Sequence, residues 1–133
     1  MKIAVYGQSN DKISKNIFLE LLNISKSENI ILLVEEKYNS ILLRKSEISH
    51  THKLFSSHED LDSTVDLMIT IGGDGTLLRS ITFVRDLGIP IIGINTGRLG
   101  FLATLNQELL NIELKKILKG EFKIEERSLL EVN

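Results

Sequence analysis

Cysteine is absent from the 133 residues, and with it go a disulfide framework, a zinc ribbon and thiol catalysis. The same absence fits a reducing compartment, so a cytoplasmic location is expected. No apolar run approaches the roughly 20 residues that a membrane-spanning helix needs. The opening stretch, Met1-Lys2-Ile3-Ala4-Val5-Tyr6-Gly7, is too short an apolar run for a signal peptide, so neither export nor a membrane partner is expected. An excess of one charge is lacking too. The 16 basic and 18 acidic side chains leave a net charge of -2, which gives no long-range field toward nucleic acid or an anionic surface. Any phosphate must therefore be held locally. What is present is ordinary globular material, 42% hydrophobic and 26% charged, far from the composition of disordered chains. At about 150 residues per domain, 133 residues make one compact domain and exclude two full ones.

Short apolar runs rich in Ile and Val alternate with longer segments of helical spacing, the pattern of parallel strands buried on both faces. The fold class is α/β: a Rossmann-like, open, mostly parallel sheet with helices on both faces. A first strand at 3–6 ends at Gly7, and Gln8-Ser9-Asn10-Asp11 supplies N-cap chemistry for a helix with Ile13, Ile17, Leu21 and Ile24 inward. A strand at 30–34 precedes a helix near 38–45 that turns Ile41 and Leu42 to the core. Residues 46–62 read as a polar connection with a short edge element around Leu54 and Phe55. A strand at 66–71 runs into Gly72-Gly73-Asp74-Gly75-Thr76, followed by a helix with Leu77, Leu78, Ile81 and Val84 on one stripe and Gly88 as its C-cap. The next strand begins at Ile89-Pro90-Ile91-Ile92 and delivers Asn95-Thr96-Gly97. A loop at 98–104 carries Phe101, and a last helix opens at Asn106 with Leu110, Leu114, Ile117 and Leu118 inward, stopping at Gly120. The strand-like stretch at 129–132 has no partner after it. The expected division is an N-terminal α/β nucleotide-binding domain at 1–126, with 127–133 opening a C-terminal domain that is otherwise absent.

Chemistry concentrates in Gly72-Gly73-Asp74-Gly75-Thr76, between a buried strand and a helix, where open α/β sheets hold ligands. Glycines let the backbone approach a ligand, and the helix N-terminus adds about half a positive charge, so the loop suits a phosphate. Neither standard phosphate loop fits. There is no Gly-x-x-x-x-Gly-Lys-Ser/Thr, and Gly73-Asp74-Gly75-Thr76-Leu77-Leu78 departs from Gly-x-Gly-x-x-Gly at its last position. A carboxylate beside a phosphate cradle repels the phosphate. That cost makes sense where the carboxylate takes a proton from a hydroxyl attacking the phosphorus, which makes Asp74 a candidate general base. The other reading of Asp74 is a plain helix N-cap.

These residues carry a resemblance. The loop, followed one strand later by Gly93-Ile94-Asn95-Thr96-Gly97-Arg98-Leu99-Gly100-Phe101-Leu102, resembles the motif pair of the NAD kinase family. Glu126-Arg127-Ser128-Leu129-Leu130 is similar to the segment with which that family enters its second domain. Diacylglycerol kinases, sphingosine kinases and phosphofructokinases carry relatives of the first motif, but lipid kinases have a different Gly-Thr-x-Asn-Asp type motif downstream. The likeness follows the whole chain in order, strongest from Asp66 to Thr104 and faint before Ser63.

The resemblance implies the N-terminal domain of the NAD kinase and diacylglycerol kinase-like superfamily, transferring the ATP γ-phosphoryl group to the 2′-hydroxyl of the adenosine ribose of NAD. The implied partners are small nucleotides, ATP with Mg2+ or another divalent metal and NAD as substrate, and the full-length protein is implied to be a homo-oligomer. Asp74 would be the catalytic base. Gly72, Gly73, Gly75 and Thr76 would hold phosphate or approach the ribose. Arg79 would reach back to a phosphate, or remain a solvated face residue. Asn95 and Gly97 would face the same crevice, or form a plain turn, and Phe101 would stack on a base or sit under the loop. The family's Asn-Glu or Asn-Asp pair and Gly-Ser-Thr segment do not occur in these residues, so this stretch alone is expected to be inactive or nearly so.

Two features are read as structural. His50 and His52 share a strand face without a third ligand nearby, so a solvated surface is expected rather than a metal site, and His58 adds little. Lys115, Lys116 and Lys119 complement the macrodipole at a helix end. A lipid or sugar kinase with the same loop is the rival enzyme. A flavodoxin-like, non-catalytic nucleotide-binding domain is the rival from another class.

Overall fold

The computed structural model describes residues 1–9, 11–42 and 52–95, together with Ile112, Lys115, Lys116 and Lys119. The described elements are β1 (Lys2–Gly7), α1 (Lys12–Ser27), β2 (Ile31–Glu35), α2 (Glu36–Leu42), β3 (Lys53–Phe55), a short 3-10 turn at His58–Asp60, β4 (Leu67–Gly72), α3 (Asp74–Val84) and β5 (Ile91–Asn95). All described strand pairs are parallel, and the sheet order is β3-β2-β1-β4-β5. From β1 the chain moves outward to β2 and β3, then returns to the other side of β1 for β4 and β5. Right-handed crossovers in opposite directions place their helices on opposite faces.

Packing follows that rule. On one face Ile3, Val5, Ile69 and Ile71 meet Ile17, Phe18, Leu21 and Ile24 of α1 and Tyr38 and Leu42 of α2. On the other, Ala4, Tyr6 and Met68 meet Phe55, Leu61, Val65, Val84 and Ile89, with Phe83 against them. The alternation of Ile3, Val5 with Ala4, Tyr6 is the two-residue period of a strand covered on both sides. Asp11 caps α1, its Oδ1 accepting the Ser14 N–H at 2.8 Å. Glu35 does the same for α2: its carboxylate, in a buried residue, accepts from the Lys37 and Tyr38 N–H groups.

Several expectations shift. Ile13 stays exposed, whereas Phe18 is fully buried. In α2 the core positions are Tyr38, Asn39 and Leu42, with Ile41 half-buried. In α3 the buried stripe is Thr76, Ser80 and Val84, while Leu78 is 44% exposed. Small hydroxyl residues let this helix sit close to the sheet, and Ser80 Oγ is satisfied by its own helix, donating to the Leu77 carbonyl. Gly88 is not the C-cap of α3. Arg85 is, at φ 42°, its N–H returning to the Ile81 carbonyl, and Gly88 takes its own positive φ in the turn that follows. His52 is half-buried rather than solvated, its Nε2 2.6 Å from Asn39 Oδ1 and its ring edge-on to Phe18. His58 Nδ1 lies 2.8 Å from the Phe83 carbonyl oxygen. In the last predicted helix, Ile112, Lys115 and Lys116 are helical and Lys119 is in a turn. His50, the loop at 98–104, the helix positions Leu110, Leu114, Ile117 and Leu118, and the strand-like end lie outside the described residues. None of the described helices is long and apolar enough to cross a membrane.

Candidate functional site

The chain leaves β1 and β4 at neighbouring points of the sheet's carboxyl edge, Gly7 pairing with Ile71, and then departs to opposite faces. This is the topological switch point, where the two departing loops leave a crevice between them. The predicted glycine loop occupies one wall of it.

Gly72 ends β4 at φ 155°, a conformation L side chains avoid, and a Cβ there would lie 2.5 Å from Thr76 Oγ1. Glycine is therefore required at this position by backbone and packing together. Gly73 is the N-cap of α3 and provides no side-chain cap. Asp74 is the first helical residue, so the plain N-cap reading of Asp74 does not hold. Its side chain is exposed and makes no hydrogen bond among the described residues. Among the described residues, a Cβ on Gly73 or Gly75 would meet nothing within 4 Å. Those two glycines answer no packing demand, and Gly75 costs the helix roughly 0.5–1 kcal/mol relative to alanine. They keep the space around Asp74 open and the first-turn amides of α3 bare.

Thr76 stands behind this open face. It is buried, and its Oγ1 donates to Gln8 Oε1 at 2.9 Å, tying the start of α3 to the loop after β1 across 68 residues of sequence. On the β1 side, the ring of the buried Tyr38 packs against Gly7, where a Cβ would come within 2.6 Å of it. Burial first, and then the negative charge of Asp11, push the Tyr38 hydroxyl well above its ordinary ionisation range. Asp11 itself is held below the usual carboxylate range, chiefly by the backbone hydrogen bond from Ser14, with the Ser9 hydroxyl donating to Oδ2 at 2.9 Å.

Arg79 is exposed, and its guanidinium acts on the Tyr6 hydroxyl. Burial raises the Tyr6 ionisation, the Glu35 charge adds to it, and Arg79 opposes both. Asn95 ends β5 paired with Gly72, which puts its backbone beside the loop. Gly97 and Phe101 lie outside the described residues. The structure adds Gln8 to the set. Nothing local in the sequence marks it, because its partner is met only through the β1–β4 pairing. A separate small cavity, lined by Met1, Glu28, Ile30, Lys115 and Lys119, opens by the residues that precede β1 and β2, at the other edge of the sheet.

Taken together, the site can bring to one ligand a helix dipole and, among the described residues, bare amides and an unengaged carboxylate. Residues 7–122 match the family described as the ATP-NAD kinase N-terminal domain. NAD kinase of Flavobacterium psychrophilum is 45% identical over 130 residues, which are 98% of this chain and 44% of that protein. NAD kinase of Christiangramia forsetii is 42% identical over the same shares. The chain thus spans less than half the length of these curated relatives. The crystal structure of yeast NADH kinase complexed with NADH has the same fold, with a TM-score of 0.60 at 14% identity over 90% of this chain and 38% of that one.

Proposed function

The chain belongs to the ATP-NAD kinase family, and from that premise we propose that it forms the N-terminal domain of an enzyme that phosphorylates the 2′-hydroxyl of the adenosine ribose of NAD from ATP. Residues 1–126 make up this domain and 127–133 begin the next. The observation that carries the reading is the Asp74 carboxylate, exposed and unengaged among the described residues, between two glycines with open space above them, at the switch point of the sheet.

A ribose hydroxyl is a poor nucleophile at neutral pH. The Asp74 carboxylate orients it and accepts its proton as the oxygen attacks the γ-phosphorus; the bond from that phosphorus to the β,γ-bridging oxygen breaks and ADP departs with the electron pair. Backbone N–H groups from Gly73 to Thr76, at the positive end of α3, face the phosphoryl oxygens whose charge grows. Gly73 and Gly75 fit that task, because a side chain at either would fill the space the triphosphate needs. A divalent metal would supply charge neutralisation on the triphosphate. Among the described residues no group of three His, Cys, Asp or Glu side chains could hold it. Arg79 reaches a phosphate by turning away from Tyr6, Asn95 and Gly97 line the acceptor side, and Phe101 stacks on a ring of the dinucleotide. The bound NADH of the yeast neighbour supports a nicotinamide dinucleotide as acceptor.

The test uses the full-length protein with Mg-ATP and four acceptors: NAD, NADH, diacylglycerol and fructose 6-phosphate. Phosphorylation of the dinucleotides alone is expected. Turnover confined to the lipid or the sugar would overturn the assignment.

A further inference from the structure

We propose that Gln8 is a binding residue of the same site, a neutral carboxamide fixed by Thr76 whose Nε2 hydrogens hold a phosphoryl oxygen of the donor nucleotide. The inference rests on the function proposed above. Gln8 follows the last residue of β1, and Gly7 pairs with Ile71, so Gln8 stands level with the start of the glycine loop across the switch point. Its side chain is exposed, yet it is held in place, with Oε1 accepting from the buried Thr76 hydroxyl at 2.9 Å. A carboxamide has one acceptor end and one donor end. With Oε1 taken by Thr76, the two Nε2 hydrogens have no hydrogen-bond partner among the described residues.

Charge favours a donor of this kind. A cation beside a carboxylate weakens it as a general base. A neutral amide holds a phosphoryl oxygen without doing so.

A purely structural latch between Gln8 and Thr76 is the competing account, and two variants of the full-length enzyme separate them. Gln8→Met removes both the acceptor and the donors without adding charge. Gln8→Glu restores the acceptor for Thr76 but, ionised, donates nothing. The expected result is an ATP KM raised roughly tenfold in both, the size of one hydrogen bond to a charged oxygen, with kcat and the KM for NAD changed by less than about twofold. The melting temperature should fall slightly in Gln8→Met and return in Gln8→Glu, and the raised KM of Gln8→Glu should persist at high salt, where simple repulsion is screened. An unchanged ATP KM in Gln8→Met, a loss confined to kcat, or a Gln8→Glu variant with wild-type KM would overturn the proposal. Stabilisation by inorganic tripolyphosphate is scored separately from turnover. Wild type should melt higher with it, and Gln8→Met should show a clearly smaller rise at the same concentration; equal shifts, or none in wild type, would also overturn it. A wild-type enzyme that binds tripolyphosphate through Gln8 but makes no NADP would retire the NAD kinase reading and leave Gln8 in place.

Discussion

The junctions β1–α1 and β4–α3 are built on one plan, a parallel strand, a short loop and a helix with an aspartate at its start, and they use that aspartate in opposite ways. At the first, Asp11 is the N-cap: its carboxylate accepts the Ser14 N–H and the Ser9 hydroxyl, and its ionisation is pulled down by those bonds. At the second, the cap position belongs to Gly73, which offers nothing, and Asp74 stands one residue inside the helix with its oxygens unengaged among the described residues. Moving an aspartate by one position releases its carboxylate from the helix. A capped helix end is locally satisfied and inert, whereas an uncapped one keeps both bare amides and a free base for a ligand.

The same substitution made at both junctions should therefore diverge. Asp74→Asn in the full-length enzyme keeps shape and removes the proposed base, so kcat should fall by roughly 10² to 10⁴ with the melting temperature unchanged. Asp11→Asn should leave both turnover and stability near wild type, because asparagine caps as well as aspartate. Near-normal turnover in Asp74→Asn would break the comparison outright. Next in size is Gly72→Ala, which places a side chain at φ 155° and 2.5 Å from Thr76 Oγ1. It should cost on the order of 1–3 kcal/mol of stability, read by denaturant unfolding, with nucleotide binding lost alongside it. Alanine accepted there without loss would mean that Thr76 does not sit under the loop.

Asp11→Ala comes third, at about 1 kcal/mol for a lost cap. Its effect depends on pH with a definite sign. Since folding lowers the Asp11 ionisation, the cap contributes its stability above the unfolded value of about 3.9 and loses it as pH falls through the lower folded value. The difference in melting temperature between wild type and Asp11→Ala should therefore be full at pH 7 and shrink on acidification below pH ~4. A gap that widened there would contradict the depressed ionisation.

The parts of this molecule that were legible in sequence are the ones fixed by near neighbours. The Ile and Val runs of β1, β2 and β4 announce strands covered on both faces, the short Leu54-Phe55 edge is found as β3, and Asp11 announces a cap. The glycine loop and Asp74 are marked by spacing alone. Features missed were those decided by tertiary contact. The face α3 buries was read from its leucines, yet close approach at Gly72 and Thr76 turns Thr76, Ser80 and Val84 inward and leaves Leu78 outside. Tyr38 is buried against Gly7 because β1 brings a residue without a side chain under its ring, something neither segment states by itself. Gln8 enters the site only through a bond spanning 68 residues.

The smallest effect is also the most discriminating, because it has the opposite sign to the others. Gly75 occupies the first turn of α3, and no described residue lies within 4 Å of where a Cβ would be. If the fold alone set its identity, alanine would be the better residue, and Gly75→Ala should stabilise the protein by up to about 0.5–1 kcal/mol. The same methyl group would stand in the space proposed for the triphosphate, so the ATP KM should rise while the unfolding midpoint moves upward. Stability and affinity changing in opposite directions from one exposed methyl group is the signature of a glycine kept for a ligand. An unchanged ATP KM together with higher stability would leave Gly75 without a role in binding, and would narrow the site to Gly73 and Asp74.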